Sequence, residues 1–410
     1  MIFNMKALIY FSFHIVFLSC VNDNTKKENN QLPEISTLES PSGITASLPH
    51  LVTGNDGKLY LSWVETNGDT TVLKYASRQD TGWSTAKEIS KGTNWFVNWA
   101  DYPMIAVNEN SNMIAHFMAK SSDGFFSYDV NIVRKSASGG WSTPLVPHND
   151  GTPTEHGFVT MLPIADGAFQ LGWLDGRNTS SESNEHKGAM TMRTAVLNMD
   201  GTLSDEVELD NRTCDCCQTG GAITDNGPIL VYRDRSENEE RDIAIVRLVN
   251  GSWTPSNIIY EDNWEIAGCP VNGPRADAIG NNLGIAWFAA PDNKPEIKVI
   301  FSKDGGEMFG GPITIDNKYP IGRVDLVMLD KDRAMVSWLC KEGGETLIKA
   351  QVVHQSGLVE PSIVIAESQE VRGSGFPQMS KYNEDVYFAW TNLIEEQESQ
   401  VKTAILSNHF

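Results

Sequence analysis

Seven times along the chain, a short alternating strand carries one aromatic residue after a small or apolar pair. The segments are LYLSWVE, MIAHFMA, FQLGWLD, ILVYRDR, LGIAWFA, AMVSWLC and VYFAWTN. Their aromatics, Trp63, Phe117, Trp173, Tyr232, Trp287, Trp338 and Trp390, fall 51 to 59 residues apart. A unit this small cannot bury its own apolar face and must stack against copies of itself. Each motif follows a strand-like run ending in a turn, such as PHLVTGNDG, and precedes a second alternating run, such as TVLKYAS or RDIAIVRLV. For six of the seven units a turn and a fourth short strand come next, as in STAKEIS, GPITID and EPSIVIAE. Four antiparallel strands per unit at this period predict an all-β protein, a seven-bladed β-propeller.

The seventh unit stops after its third strand, at VKTAILSNHF, while LPEISTLES at residues 32–40 belongs to no unit. Pairing that N-terminal run into the last blade closes the ring and removes two open sheet edges. Residues 32–410 are therefore expected to form one propeller domain. Ahead of it, Lys6 precedes an apolar run ending in Leu18-Ser19-Cys20. That run is too short to span a bilayer and has the layout of a secretory signal. A small residue followed directly by cysteine resembles a bacterial lipoprotein processing site. The resemblance implies a signal over residues 1–20, lipidation of Cys20, and a polar tether over 21–31. We therefore expect an exported protein, lipid-anchored in the cell envelope, whose cysteines meet an oxidising or metal-exposed setting. The formal charge of −21 excludes nucleic acid as a partner, since phosphates need a basic surface. A monomer is expected.

One turn carries a further marker. FSKDGGEMF places Ser302, Asp304, Gly306 and Phe309 in the S-x-D-x-G-x-x-aromatic pattern of the Asp-box, and Trp83, Trp141 and Trp253 stand at equivalent places. With the repeat and phrases such as NWADYP, TEHGFV, WLDGR, DCCQT, YRDRS and CPVNGP, residues 45–410 resemble the sialidase-like, Asp-box propeller superfamily. The resemblance implies a glycan ligand, and a glycosidase of this kind works with two carboxylates or with a tyrosine helped by a glutamate. The chain departs from true sialidases, which the family implies are six-bladed with an early Arg-Ile-Pro segment. Here the first inner strand reads SLPHLVTG, without arginine, and no Tyr-Glu pair is legible because Tyr232 occupies the repeating core position.

In a propeller, the loop entering the innermost strand and the loop joining the second and third strands share one face. Read out blade by blade, those loops give the candidate catalytic residues Asp101, Glu155, His156, Asp175 and Asp234. The same loops give candidate substrate-binding residues Trp99, Arg177, Gln218, Arg233, Arg235, Asn272 and Arg323. Guanidinium groups grip carboxylates in a bidentate fork and indole faces stack on sugar rings, so an acidic glycan or another acidic small molecule suits this rim. The competing expectation is ordinary rim polarity, with Arg and Asp paired across blades on a non-catalytic glycan- or protein-binding scaffold.

The segment NRTCDCCQTGG puts Cys214, Cys216 and Cys217 at the entrance to blade 4, and Cys269 in AGCPVNGP enters blade 5. The same structural slot in neighbouring blades brings these four cysteines within reach of one another. Disulfides, with 214–217 plus 216–269 the easier connectivity, compete with a copper or zinc thiolate site and with a redox-active pair. No cofactor is required by any motif. Cys340, past Trp338, is expected to be a buried free thiol.

Overall fold

The computed structural model describes residues 35–179, 188–395 and 398–407, so Cys20, the leader and the tether lie outside the described residues. Within them, seven antiparallel sheets follow one another along the chain, one per aromatic motif. The protein is a seven-bladed β-propeller. Its inner strands are Ala46–Thr53, Ile105–Val107, His156–Pro163, Gly220–Thr224, Arg275–Ile279, Pro320–Met328 and Gln378–Tyr382. Ile35–Leu38 pairs with Glu398–Leu406 in antiparallel register, so the N-terminal strand is the outermost strand of the last blade. Blade 2 departs from the expected pattern. Its fourth strand is reduced to bridges from Ile132 to Leu145 and from Lys135 to Trp141. The proline-bearing run STPLVPH cannot donate a full ladder of hydrogen bonds.

The repeating aromatics explain the cohesion of the ring. Trp63, Trp173, Trp287 and Tyr232 are fully buried, and each sends its polar atom to a carboxylate. For Tyr232, Trp287 and also Trp338 the acceptor comes from the preceding blade, whereas Trp63 and Trp173 use Glu65 and Asp175 of their own strands. Tyr232 donates to Asp210, Trp287 to Asp262 and Trp338 to Asp316, at 2.7, 2.6 and 2.8 Å. An indole ring or phenol thus fills the wedge between blades while its one polar atom stays satisfied. On the opposite face, the Ser302–Phe309 turn closes on itself. Asp304 Oδ1 accepts from the backbone of Glu307 and Met308, and Gly306, at φ 86°, donates to Ser302 Oγ.

A second device recurs near the channel mouth. The inner strands of blades 1, 3 and 6 bulge at Leu48, Phe158 and Arg323, each with φ of 54–55°. Such a conformation costs a non-glycine residue about 1 kcal/mol or more. In each case a side chain from elsewhere in the ring accepts the exposed N–H. Thr391 caps Leu48 at 3.1 Å, Asp101 caps Phe158 at 2.8 Å, and Asn272 caps Arg323 at 2.7 Å. Below the bulges a cavity of about 440 Å³ occupies the channel, lined among others by His50, Thr160, Thr219, Arg275, Asp325 and Gln378. Tyr102, from the entry loop of blade 2, is held over Arg275 and Gln378 by hydrogen bonds to both.

Candidate functional site

The loops expected to share a face do so, but they divide into an inner layer of clamps and an outer cluster of titratable groups. The inner layer takes several residues expected to meet substrate. Arg233, 1% exposed, gives its guanidinium to the carbonyls of Asn272, Arg241 and Phe288. Arg323 is buried likewise and donates to Ser374 Oγ and to the carbonyls of Gly375, Glu370 and Val371. Gln218 bridges the Ala100 carbonyl and the Gly273 N–H, and Asn272 is spent on the Arg323 bulge. Trp99 is covered by Phe376 and by the Arg323 guanidinium, 4.9 Å from its ring. These five side chains hold blades together, because irregular rim loops, and at Arg323 a bulge, leave carbonyls and N–H groups that must be satisfied inside the ring.

Asp101 belongs to the same layer. It is 2% exposed, and burial pushes its carboxyl up to about 8 despite the Phe158 hydrogen bond. A Cβ on Gly157 would stand 1.9 Å from Asp101 Oδ2, so only glycine lets this carboxyl approach the bulge. The structure therefore places Asp101 as a cap on a strained strand and not at the rim.

The outer cluster spans blades 2 to 4. It contains a tyrosine–glutamate contact that the sequence does not reveal. Tyr128, at the start of the third strand of blade 2, donates its hydroxyl to Glu155 Oε1 at 2.5 Å. Tyr128 is fully buried under Phe96, stacked at 4.1 Å, whereas Glu155 is partly exposed. Burial raises the Glu155 carboxyl to about 7, against the Tyr128 hydrogen bond and with help from the charges of Asp215 and Cys214. Beside it, His156 lies fully buried with its ring stacked on His148 at 3.7 Å, and Asp129, Asp150 and Asp175 surround the pair. Asp175 is fully buried and accepts from Trp173 Nε1 and from Arg177 Nε and Nη2, so a bidentate fork fixes it. Burial opposes its charge, but the Arg177 fork outweighs burial and holds Asp175 below the usual carboxylate range.

In blade 4, Arg235 grips Asp215 at 2.9 Å and Glu239 at 2.7 Å, and Arg241 also reaches Glu239. Asp234 is half-buried in the same loop, and burial raises its carboxyl to about 6. Cys216 is joined to Cys269 across blades 4 and 5, while Cys214 and Cys217 are buried free thiols. The 216–269 link of the expected connectivity is present and the 214–217 link is not. Burial raises both thiols, but at Cys214 it is outweighed by hydrogen bonds from Cys217 and the Cys216 backbone and by the charge of Arg233, so Cys214 is lowered while Cys217 is raised. The disulfide takes two of the four sulfurs that a copper or zinc thiolate site would have used. Cys340 is a buried free thiol.

Three groups of this cluster escaped the sequence reading: Tyr128, His148 and the Asp129–Asp150 pair. Phe125 and Phe126, 78% and 55% exposed in the second-to-third loop of blade 2, also sit on this face. The signal for them is positional, since SYDV opens a third strand and VPHND enters an inner one.

Fold and site together define a seven-bladed β-propeller with a polar, partly buried cluster on its entry-loop face. No family model matches the chain, and no curated protein matches it in sequence. Among solved structures, it is similar to a protein of unknown function from Dyadobacter fermentans, at 12% identity and TM-score 0.53, covering 91% of this chain and 98% of that one. It is also similar to polysaccharide lyase Uly1, at 9% identity and TM-score 0.54, covering 90% and 92%. Hadza microbial sialidase Hz136 overlays more loosely, at 14% identity and TM-score 0.42, covering 72% and 63%. At these identities the likeness shows the propeller fold, and the chemistry rests on the residues themselves.

Proposed function

We propose that this chain is an exported propeller, tethered through Cys20, that binds and cleaves a glycan on its entry-loop face with Glu155 as the proton-transfer group. The observation that carries the reading is the Glu155 arrangement: a partly exposed carboxyl at the rim, oriented from below by the buried Tyr128 hydroxyl at 2.5 Å. General acid–base catalysis needs a carboxyl fixed in one orientation with one face open to substrate. Asp234, half-buried in the neighbouring blade, is the second carboxyl of the pair, and Asp175 is withdrawn from that role by Arg177. Exposed Phe125 and Phe126 offer apolar faces on which sugar rings stack. A solved neighbour named as a polysaccharide lyase supports the substrate class. Lipid-linked display at the cell surface suits a polymer too large to enter.

The test uses a soluble form beginning at residue 21, which keeps every strand of the ring. Sialylated, uronate-bearing and neutral polysaccharides are screened for new reducing ends and for the ultraviolet absorbance of an unsaturated uronate product. Glu155→Gln should lower kcat by about 10²–10⁴ while leaving binding intact. Full turnover by that variant overturns the assignment. A second reading, a glycan-binding scaffold without turnover, is favoured by Arg177 and Arg235, whose forks are already filled by Asp175, Asp215 and Glu239. Saturable binding with no product from any polymer would select it. Loss of the wild-type chain from the membrane fraction on Cys20→Ser tests the tether.

A further inference from the structure

We propose that Asp129, His148 and His156 form a binding site for one first-row divalent cation, such as zinc, with Asp150 and Asp175 as its outer carboxylates. Three observations carry the assignment. One ligand atom each from Asp129, His148 and His156 lies within 4.8 Å of the others, and Asp129 Oδ1 stands 3.9 Å from His148 Nε2 and 3.5 Å from His156 Nδ1. His156 is fully buried, His148 is 6% exposed, and His156 Nδ1, His156 Nε2 and His148 Nε2 all lack a hydrogen bond. Carboxylate oxygens stand 3.1 to 3.9 Å from these nitrogens, close enough for charge attraction but off the line of any N–H. A buried imidazole with both nitrogens unmade is costly, and leaving it so is rare in a protein interior. A cation takes up the orphaned lone pairs on the Asp129 side.

The third observation is charge. Three carboxylates, those of Asp129, Asp150 and Asp175, meet one guanidinium, that of Arg177. With both imidazoles neutral, as metal binding requires, these groups are left two negative charges in excess, which one divalent ion neutralises. The far side of the rings completes the pattern. Asp150 Oδ2 lies 3.2 Å from His148 Nδ1 and 3.1 Å from His156 Nε2, and Asp175 Oδ1 lies 3.6 Å from His156 Nε2. Metal-bound imidazoles characteristically give their second nitrogen to a carboxylate, as His148 Nδ1 does to Asp150, while His156 Nε2 has two carboxylates within reach that a small rotation of its ring would engage. Here Arg177 in turn holds both outer carboxylates in place.

Two nitrogens and one oxygen suit a borderline first-row ion better than calcium or magnesium, which prefer all-oxygen shells. Three protein ligands leave a coordination position open, and the Asp129 side chain is 28% exposed, so that position faces the rim beside the second-to-third loop of blade 2. The stacked rings, 7° from parallel, must fan apart for their lone pairs to converge on one ion. Binding is therefore expected to be coupled to a small change of the blade 2–3 entry loop. The sulfurs of blade 4 take no part in this site.

The experiment reads metal content and stability, and is independent of any glycan. The chain from residue 21 is stripped with EDTA, titrated with zinc chloride by calorimetry, and assayed by elemental analysis after desalting. One equivalent of zinc per chain and a raised Tm are expected. Asp129→Asn, at a partly exposed side chain that should leave folding intact, is expected to abolish saturable binding and the Tm rise. Asp150→Asn should weaken zinc by about 10- to 100-fold. A Cys214→Ser/Cys217→Ser variant should bind as the wild type does. No zinc uptake by the wild type, uptake undiminished in Asp129→Asn, or uptake lost in the cysteine variant would each overturn the proposal. Circular dichroism checks that Asp129→Asn is folded, so that its loss of binding reads the ligand and not the fold.

Discussion

Replacing Asp101 by asparagine should change how stability depends on pH more than it changes stability itself. The carboxyl is 2% exposed, accepts the Phe158 N–H on Oδ1, and has a buried Oδ2 with no hydrogen-bond partner, which is where a proton would sit. Its folded value of about 8 stands above the ordinary 3.8 because burial penalises the anion. The sign follows from proton counting: between those values the folded chain holds a proton that the unfolded chain has lost. The group's contribution is therefore complete below about 3.8 and decays as pH rises through about 8. The slope is about 1.4 kcal/mol per pH unit, so from pH 5 to pH 7 the wild type should lose roughly 2–3 kcal/mol relative to Asp101→Asn. Asparagine retains the acceptor for Phe158 and places an N–H where the proton sat, without a titration. His50 and His116, lowered to about 3 by burial, work in the opposite direction below their ordinary value of 6.5. They are present in both proteins and cancel in the difference. Urea unfolding followed by tryptophan fluorescence at pH 5, 6, 7 and 8 gives that difference directly. A wild-type-minus-variant stability that stays constant across the series would refute a buried, proton-holding Asp101.

Three further outcomes follow from the ring. Deleting residues 33–40 removes the strand paired with Glu398–Leu406, so size-exclusion chromatography should show oligomers or aggregates where the intact chain runs as one species. Cys216→Ser opens a covalent link between positions 53 residues apart, which loop-closure entropy values at about 4 kcal/mol; reduction with dithiothreitol should lower Tm in the wild type and not in this variant. Trp287→Phe leaves Asp262 with Lys298 but without its indole partner at 2.6 Å, and opens space between blades 4 and 5, so about 2–4 kcal/mol of stability should be lost in urea titration.

The architecture was legible because every blade repeats one requirement: an alternating strand pair with a large aromatic buried against a neighbouring sheet. Closure by residues 35–38 was legible for the same reason, since the last unit lacked a strand and the first had one to spare. The fourth strand of blade 2 was not, because LVPH matches strand composition while its prolines withhold the ladder. Tyr128, His148 and Asp129 were missed because nothing local marks them. Tyr128 lies 27 residues from Glu155, and His148 lies 19 from Asp129, with spacings that fit no helix or knuckle motif. Only the winding of blades 2 and 3 puts a third strand's first residues against the next entry loop.

Arginine misled the site reading for a reason that applies to the whole ring. Arg233 and Arg323 looked like anion receptors because each stands in a rim loop. Yet the winding loops and strand ends of the rim expose carbonyls, those of Arg241, Phe288, Gly375 and Glu370 among them, that no sheet ladder reaches. A guanidinium carries five donors in a fixed plane, more than any other side chain, and can satisfy several such carbonyls at once. An arginine near a propeller's mouth is thus as well suited to seal blades as to bind an acid, and burial separates the two roles. By that criterion Arg233 and Arg323 seal, while Arg177 and Arg235, partly exposed and forked onto carboxylates, set the charge of the rim. In blades 2 to 4, by contrast, buried polar groups are left incompletely satisfied: His148 Nε2 and both His156 nitrogens lack a hydrogen bond, and Glu155 has only the Tyr128 hydroxyl against its burial.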